Sequence, residues 1–250
     1  MSATPTSRSL ALWHAYQRQL RPLAAALTVG ATLGLLIGGV GGRLAMRLIF
    51  LTSDPSVAGV VSDDGFVIGQ ITPATLFLLA LGGLTGVAGV LIYLALRPLL
   101  LGPAWAKWAA CGLWAAVVVG TLLIHTDGVD FTLLAPRWLS IALFVALPGL
   151  YGLLIGPAVD RATRPDGWFH RASPWFTLPP LALILLPGPP LFLFGLPVLA
   201  VIGLAHLARK SPRLTLAFRH PALLWSARAV WAGVGIAAAL DLSRKITILL

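Results

Sequence analysis

The sequence is poor in charge. Only 10% of its 250 residues are Asp, Glu, Lys or Arg, against about 25% in an ordinary soluble domain. So few charged side chains cannot cover a water-facing surface, which excludes a soluble enzyme, a nucleic-acid module and a disordered chain. Glutamate is absent, all eight acidic residues being Asp, and lysine supplies only three of the 18 basic residues. The single cysteine, Cys111, excludes an intrachain disulfide and in its apolar run reads as a small packing residue. No basic run or recognition motif accompanies the net charge of +10, so no nucleic-acid partner is expected.

What is abundant is apolar: 58% hydrophobic residues and a mean hydropathy of +0.91. A membrane-crossing helix needs about 20 residues, and with its loops the chain has room for six or seven. Apolar runs bounded by charges and turn formers place spans at Pro22–Leu51, Thr72–Leu96, Trp105–His125, Trp138–Val159, Trp175–Leu186, Leu191–Leu207 and Pro221–Leu240. The fifth is short, because Pro187-Gly188-Pro189-Pro190 breaks the helix. The fold class predicted is an all-α, polytopic transmembrane helix bundle of seven spans. Residues 1–21 form a cytoplasmic N-terminal segment and residues 22–250 a single bundle domain. In the six-span alternative the uncharged stretch 172–207 crosses once.

Lys and Arg are the guide to orientation, since cytoplasmic loops collect them. Seven spans with the N-terminus inside put twelve basic residues in the inner segments and three in the outer ones (Arg137, Arg244, Lys245). Six spans would move Arg209, Lys210, Arg213 and Arg219 outside. The apolar run from Leu23 to Gly42 exceeds the 7–15 residues of a signal-peptide core, so the first span reads as retained. The implied partner is a lipid bilayer. With Arg far exceeding Lys, and with Ala, Gly and Pro abundant, the composition resembles that of a high-GC bacterium, hence an inner-membrane location.

Within the first span Gly30, Gly34, Gly38 and Gly42 recur every fourth residue. In a regular helix such a ladder forms one groove. Lipid tails give helices no hydrophobic reason to associate, so close backbone approach must supply it. Similar spacings occur at Gly82/Gly86, Gly112/Ala116/Gly120 and Gly152/Gly156. The ladder predicts tight packing within one subunit, with a homo-oligomer seam through the Gly30/Gly34/Gly38/Gly42 face and a glycine-lined path for a small solute as the other readings. The stretch Gly38–Arg43 lacks the Gly-Lys-Ser/Thr ending of a phosphate loop.

Arg43 and Arg47 interrupt that span. They are i,i+4 neighbours on one helical face, and a centrally buried Arg costs at least about 2.5 kcal/mol on insertion scales. Carboxylates dropping in from the outer turns are the expected neutralisers. Ser62-Asp63-Asp64-Gly65-Phe66 and His125-Thr126-Asp127-Gly128-Val129-Asp130-Phe131 are two such turns, each carrying the Asp-Gly signature. The expected polar cluster is Arg43, Arg47, Asp63, Asp64, His125, Asp127, Asp130 and Arg137. Asp241 with Arg244 and Lys245 reads as a helix-end ion pair, and Arg228 as an interfacial snorkelling residue.

Paired arginines suit an anion or a lipid phosphate, held bidentately. The aspartates with His125 suit proton or ion relay. One histidine is too few for an ordinary zinc site. No catalytic residue, cofactor or metal is assigned. The leading functional expectation is a membrane protein that binds or moves a small ion, anion or lipid headgroup at this cluster. The alternative is a structural or assembly membrane protein whose cluster only stabilises the fold; a membrane-embedded enzyme stands third, without a supporting motif.

Overall fold

The structure, a computed structural model, describes residues 20–62, 65–68, 70, 73–171, 179 and 221–250. Its regular elements there are helical: α1 (Arg21–Thr52), α2 (Ala74–Leu96), α3 (Ala104–Leu123), α4 (Val129–Thr132), α5 (Arg137–Ala162), α6 (Trp168–Arg171) and α7 (Pro221–Leu249). Extended pairing among the described residues is limited to an isolated antiparallel bridge between Val61 and Val67. Five helices, α1, α2, α3, α5 and α7, are long and apolar enough to cross a membrane. They occupy the first four expected spans and the last. The expected spans Trp175–Leu186 and Leu191–Leu207 lie outside the described residues, as does most of the N-terminal segment.

Side-chain contacts fix how the helices run. Arg21, at the start of α1, donates from Nε to the Phe169 carbonyl (3.1 Å), just past the end of α5. Arg97 and Asp160, ending α2 and α5, pair at 2.7 Å. Arg228 donates to the Leu99 carbonyl (3.1 Å) and lies 4.9 Å over the Trp225 ring, so it is anchored at the helix end the sequence assigns it. These contacts gather at one end of the bundle. At the other, hereafter the cap end, the loop after α1 meets the loop after α3, and Arg137 at the start of α5 donates to the Leu249 carbonyl (3.1 Å) at the end of α7. Helices α1, α3 and α7 therefore run toward the cap, and α2 and α5 away from it.

The tightest packing is glycine on glycine. A Cβ placed on Gly34 or Gly86 would come within 3.0 Å of backbone atoms of the opposing helix, and one on Gly82 would meet Gly39 and Gly34 as closely. With no side chains between them, the α1 and α2 backbones touch directly, the arrangement that dispersion requires in a bilayer. Tyr151 of α5 closes the crossing by donating its hydroxyl to the Gly86 carbonyl (2.6 Å). Below it, Leu27, Val87, Val90, Leu91 and Ile155 are fully buried together. Helices α3 and α5 pair by the same device, a Cβ on Gly152 falling 2.7 Å from the Cys111 carbonyl oxygen. Helix α7 lies along α3 through stacked Trp114 and Trp231 rings, 6.0 Å apart.

The ladder of fours does not run its full length. Residues Gly34–Gly41 are wound as a π-helix between regular α-helical halves. Its i→i+5 bonds put more residues into each turn, so the register slips and Gly39, not Gly42, meets α2 at Leu79. Gly42 has nothing within 4 Å. Helix α2 of the same chain covers Gly30, Gly34 and Gly38.

Exposed apolar side chains cover the remaining surface, among them Leu44, Leu76, Phe77, Leu113 and Leu240. Trp105 and Trp138 stand exposed at the first turns of α3 and α5, at opposite ends of the bundle, where interfacial aromatic belts are found.

Candidate anion site at the cap end

Two loops build the cap. In the first, the Asp54 carboxylate accepts from the Ser56 backbone N–H (2.8 Å) and caps the turn Pro55–Val57. The Ser56 side chain and then its backbone N–H hold the Asp54 carboxyl below the usual carboxylate range. The chain then doubles back. Ser62 N–H donates to the Phe66 carbonyl (2.8 Å), and Ile68 N–H to that of Val60 (2.8 Å). Gly65 makes the reversal at φ +78, a left-handed conformation that side chains disfavour. In the second loop, Gly128 N–H donates to the His125 carbonyl (3.3 Å), and α4 follows.

The loops are clasped at the end of α1. Both the Thr52 and Ser53 hydroxyls reach the Ala135 carbonyl at 3.0 Å, and the Ala135 N–H donates to Ser53 Oγ at 2.9 Å. Beneath the clasp Ile49, Val57, Ile68 and Leu134 form a buried apolar floor, and Phe131 meets Phe144 edge to face. Replacing Ser53 with alanine removes the clasp's central group and orphans the Ala135 N–H. The bonds are exposed, so water takes over the freed N–H; a loss of about 0.5–1.5 kcal/mol is the expected result, read as a lower melting temperature in detergent.

Over this floor lie two adjoining clefts. The larger, about 390 Å³, is lined by Arg43, Arg47, Ser62, Gln70 and Asp130 among mainly apolar residues. The smaller, about 330 Å³, is lined by His125, Asp127 and Asp130. Asp130 and Phe144 belong to both. Of the expected cluster, therefore, Arg43, Arg47 and Asp130 share one cleft, and His125 and Asp127 share the next. Asp63 and Asp64 lie outside the described residues. Arg137 turns away, binding the Leu249 and Thr132 carbonyls (3.1 and 3.5 Å). Among the described residues the candidate groups do not form a metal-ligand set.

Among the described residues, which do not include Asp63 and Asp64, the partners of the two arginines are neutral. Arg43 donates to the Gln70 backbone carbonyl and lies 4.0 Å from Met46 Sδ. Arg47 stacks 5.3 Å over the Phe50 ring. Ion pairs among the described residues join Arg97 to Asp160 and Lys245 to Asp241; neither includes Arg43 or Arg47. Helix α1 has 32 residues, about 48 Å of helix against a hydrocarbon core of about 30 Å, so it is long enough to carry Arg43 and Arg47 beyond that core.

Sequence reasoning missed three polar features: the hydroxyl clasp, the Gln70 carbonyl and the network around Thr121. There Thr121 donates to Asp241 (2.6 Å), and Lys245 bonds both Asp241 (3.1 Å) and the Thr121 carbonyl (2.6 Å). Of these only the helix-end grouping of Asp241 with Arg244 and Lys245 left a signal, and the ion pair observed joins Asp241 to Lys245. No family model matches the sequence, and neither curated proteins nor solved structures show a significant match.

Proposed function

We propose that this membrane protein binds a phosphate-type anion in the cleft between Arg43 and Arg47. One observation carries the reading: two guanidinium groups, one helical turn apart, line a single cleft, and their partners among the described residues are neutral. Each keeps donors for a tetrahedral oxyanion, and the planar fork fits it bidentately. Ser62 and Gln70 border the same space. Titration of the detergent-solubilised chain with inorganic phosphate tests this. Saturable binding that weakens with added salt is expected; no saturable binding would overturn it.

A second reading has its own support. The clasp of Thr52, Ser53 and Ala135, with its apolar floor, is what a purely structural cap requires. The Ser53→Ala variant separates the two: under the anion-site reading it melts earlier yet binds phosphate as before, whereas a cap with no ligand shows only the melting shift.

We propose seven spans with the N-terminus cytoplasmic, in a bacterial inner membrane. The basic residues Arg97, Lys107, Arg161, Arg164 and Arg171 lie within or beside the helix turns at the end opposite the cap, which supports the orientation. The directions of α5 and α7 favour an odd total over the six-span alternative: α5 ends and α7 begins away from the cap. Single cysteines in a Cys111→Ala background test both proposals. A membrane-impermeant maleimide on intact cells is expected to label Leu133→Cys and Gly188→Cys but not Arg164→Cys. An unlabelled Gly188→Cys beside a labelled Leu133→Cys would reduce the count to five.

A further inference from the structure

Resting on the anion-site reading and deepening it, we infer that the anion is the phosphodiester of a membrane phospholipid, docked with its acyl chains along the outer face of α1. Three observations converge. First, Leu36, Val40 and Leu44 are exposed at every fourth position along α1, an apolar stripe that climbs from the middle of the bundle to Arg43 and Arg47. Hydrocarbon and then cation thus follow one another toward the cap, in the order in which a phospholipid presents chain and phosphate.

Second, the stripe and the cleft are continuous. Leu44 lines the cleft and is itself 64% exposed. Most of the remaining wall is apolar, including Met46, Ile49, Phe66 and Phe144. A free phosphate keeps a tight hydration shell and gains nothing from such walls, whereas a glycerol backbone with the first acyl carbons does. The volume of about 390 Å³ likewise suits a whole headgroup and glycerol unit better than a bare ion.

Third, the depth is within reach. The length of α1 lets Arg43 and Arg47 extend beyond the hydrocarbon core to the lipid phosphates, with the bilayer itself as the reservoir of ligand. The lining charges described, two Arg against Asp130, leave a net positive cleft, which favours an anionic lipid such as phosphatidylglycerol.

Native mass spectrometry of the full chain in dodecyl maltoside, with phosphatidylglycerol or same-chain diacylglycerol added, tests the inference. One retained phosphatidylglycerol is expected, with at least about a tenfold preference over diacylglycerol, equivalent to 1.4 kcal/mol. The double variant Arg43→Gln/Arg47→Gln should lose that preference. The double variant Leu36→Ser/Val40→Ser, outside the cleft, should lose lipid but keep its affinity for inorganic phosphate, which also shows that it is folded. Equal retention of both lipids overturns the inference. If inorganic phosphate binds through the arginines while phosphatidylglycerol is not retained, the lipid inference fails and the anion site stands; if neither binds, both fail.

Discussion

Gly86→Leu is expected to abolish the folded bundle. The Cβ alone would come closer than 3.0 Å to Gly34 Cα, Gly34 N and the Gly30 carbonyl oxygen. All three are backbone atoms of α1, and no rotamer change moves them. Overpacking of an ordinary core costs about 1–3 kcal/mol when side chains can shift; here helices must part, and the Tyr151 bond to the Gly86 carbonyl parts with them. The internal control is Gly42→Leu, on the same ladder by sequence. Nothing lies within 4 Å of its Cβ position, so its effect should stay within about 0.5 kcal/mol. Yield of monodisperse protein and melting temperature in detergent read both. Equal damage at Gly86 and Gly42 would contradict the register that the π-helical segment imposes.

The second large effect is on binding. Arg43→Gln/Arg47→Gln removes two charged donors whose hydrogen bonds are worth about 1.5–3 kcal/mol each, so phosphate affinity should fall about a hundredfold or more. Stability should change little, because the partners lost are one backbone carbonyl, one thioether and one ring face. Arg43→Lys keeps the charge without the fork and should fall between. Calorimetric titration with phosphate beside a thermal melt checks both halves. A large melting shift with unchanged affinity would assign the arginines to the fold alone.

The membrane class and five of the spans were legible because hydrocarbon imposes a length and a composition that a single sequence displays. Gly30, Gly34, Gly82 and Gly86 were legible as a packing seam for the same reason: only backbone contact holds helices together in lipid. Gly42 was misplaced because the π-helical turn comes from how α1 winds against α2, and spacing alone assumes a regular helix. The cap was half legible. Asp-Gly turns marked the loop around Gly65 and the one around Gly128, but the groups that join them, Ser53 Oγ and the Ala135 backbone, have no signature. Arg137 pointed to the cluster by position and was drawn instead to the free carbonyls at the end of α7, a helix more than a hundred residues away in sequence. The arginine pair was found by its oddity; the Gln70 carbonyl and the Phe50 ring that it meets carry no sequence signature.

Solid-state NMR distance measurement between phosphate ³¹P and arginine side-chain ¹⁵N, on the chain reconstituted in bilayers, probes the central claim at the atoms concerned. The account predicts strong dephasing at two arginine side chains, consistent with charge-assisted N···O contacts of about 2.7–2.9 Å, and its disappearance in Arg43→Gln/Arg47→Gln. Dephasing that survives in the double variant, or none in the wild-type chain, would contradict it.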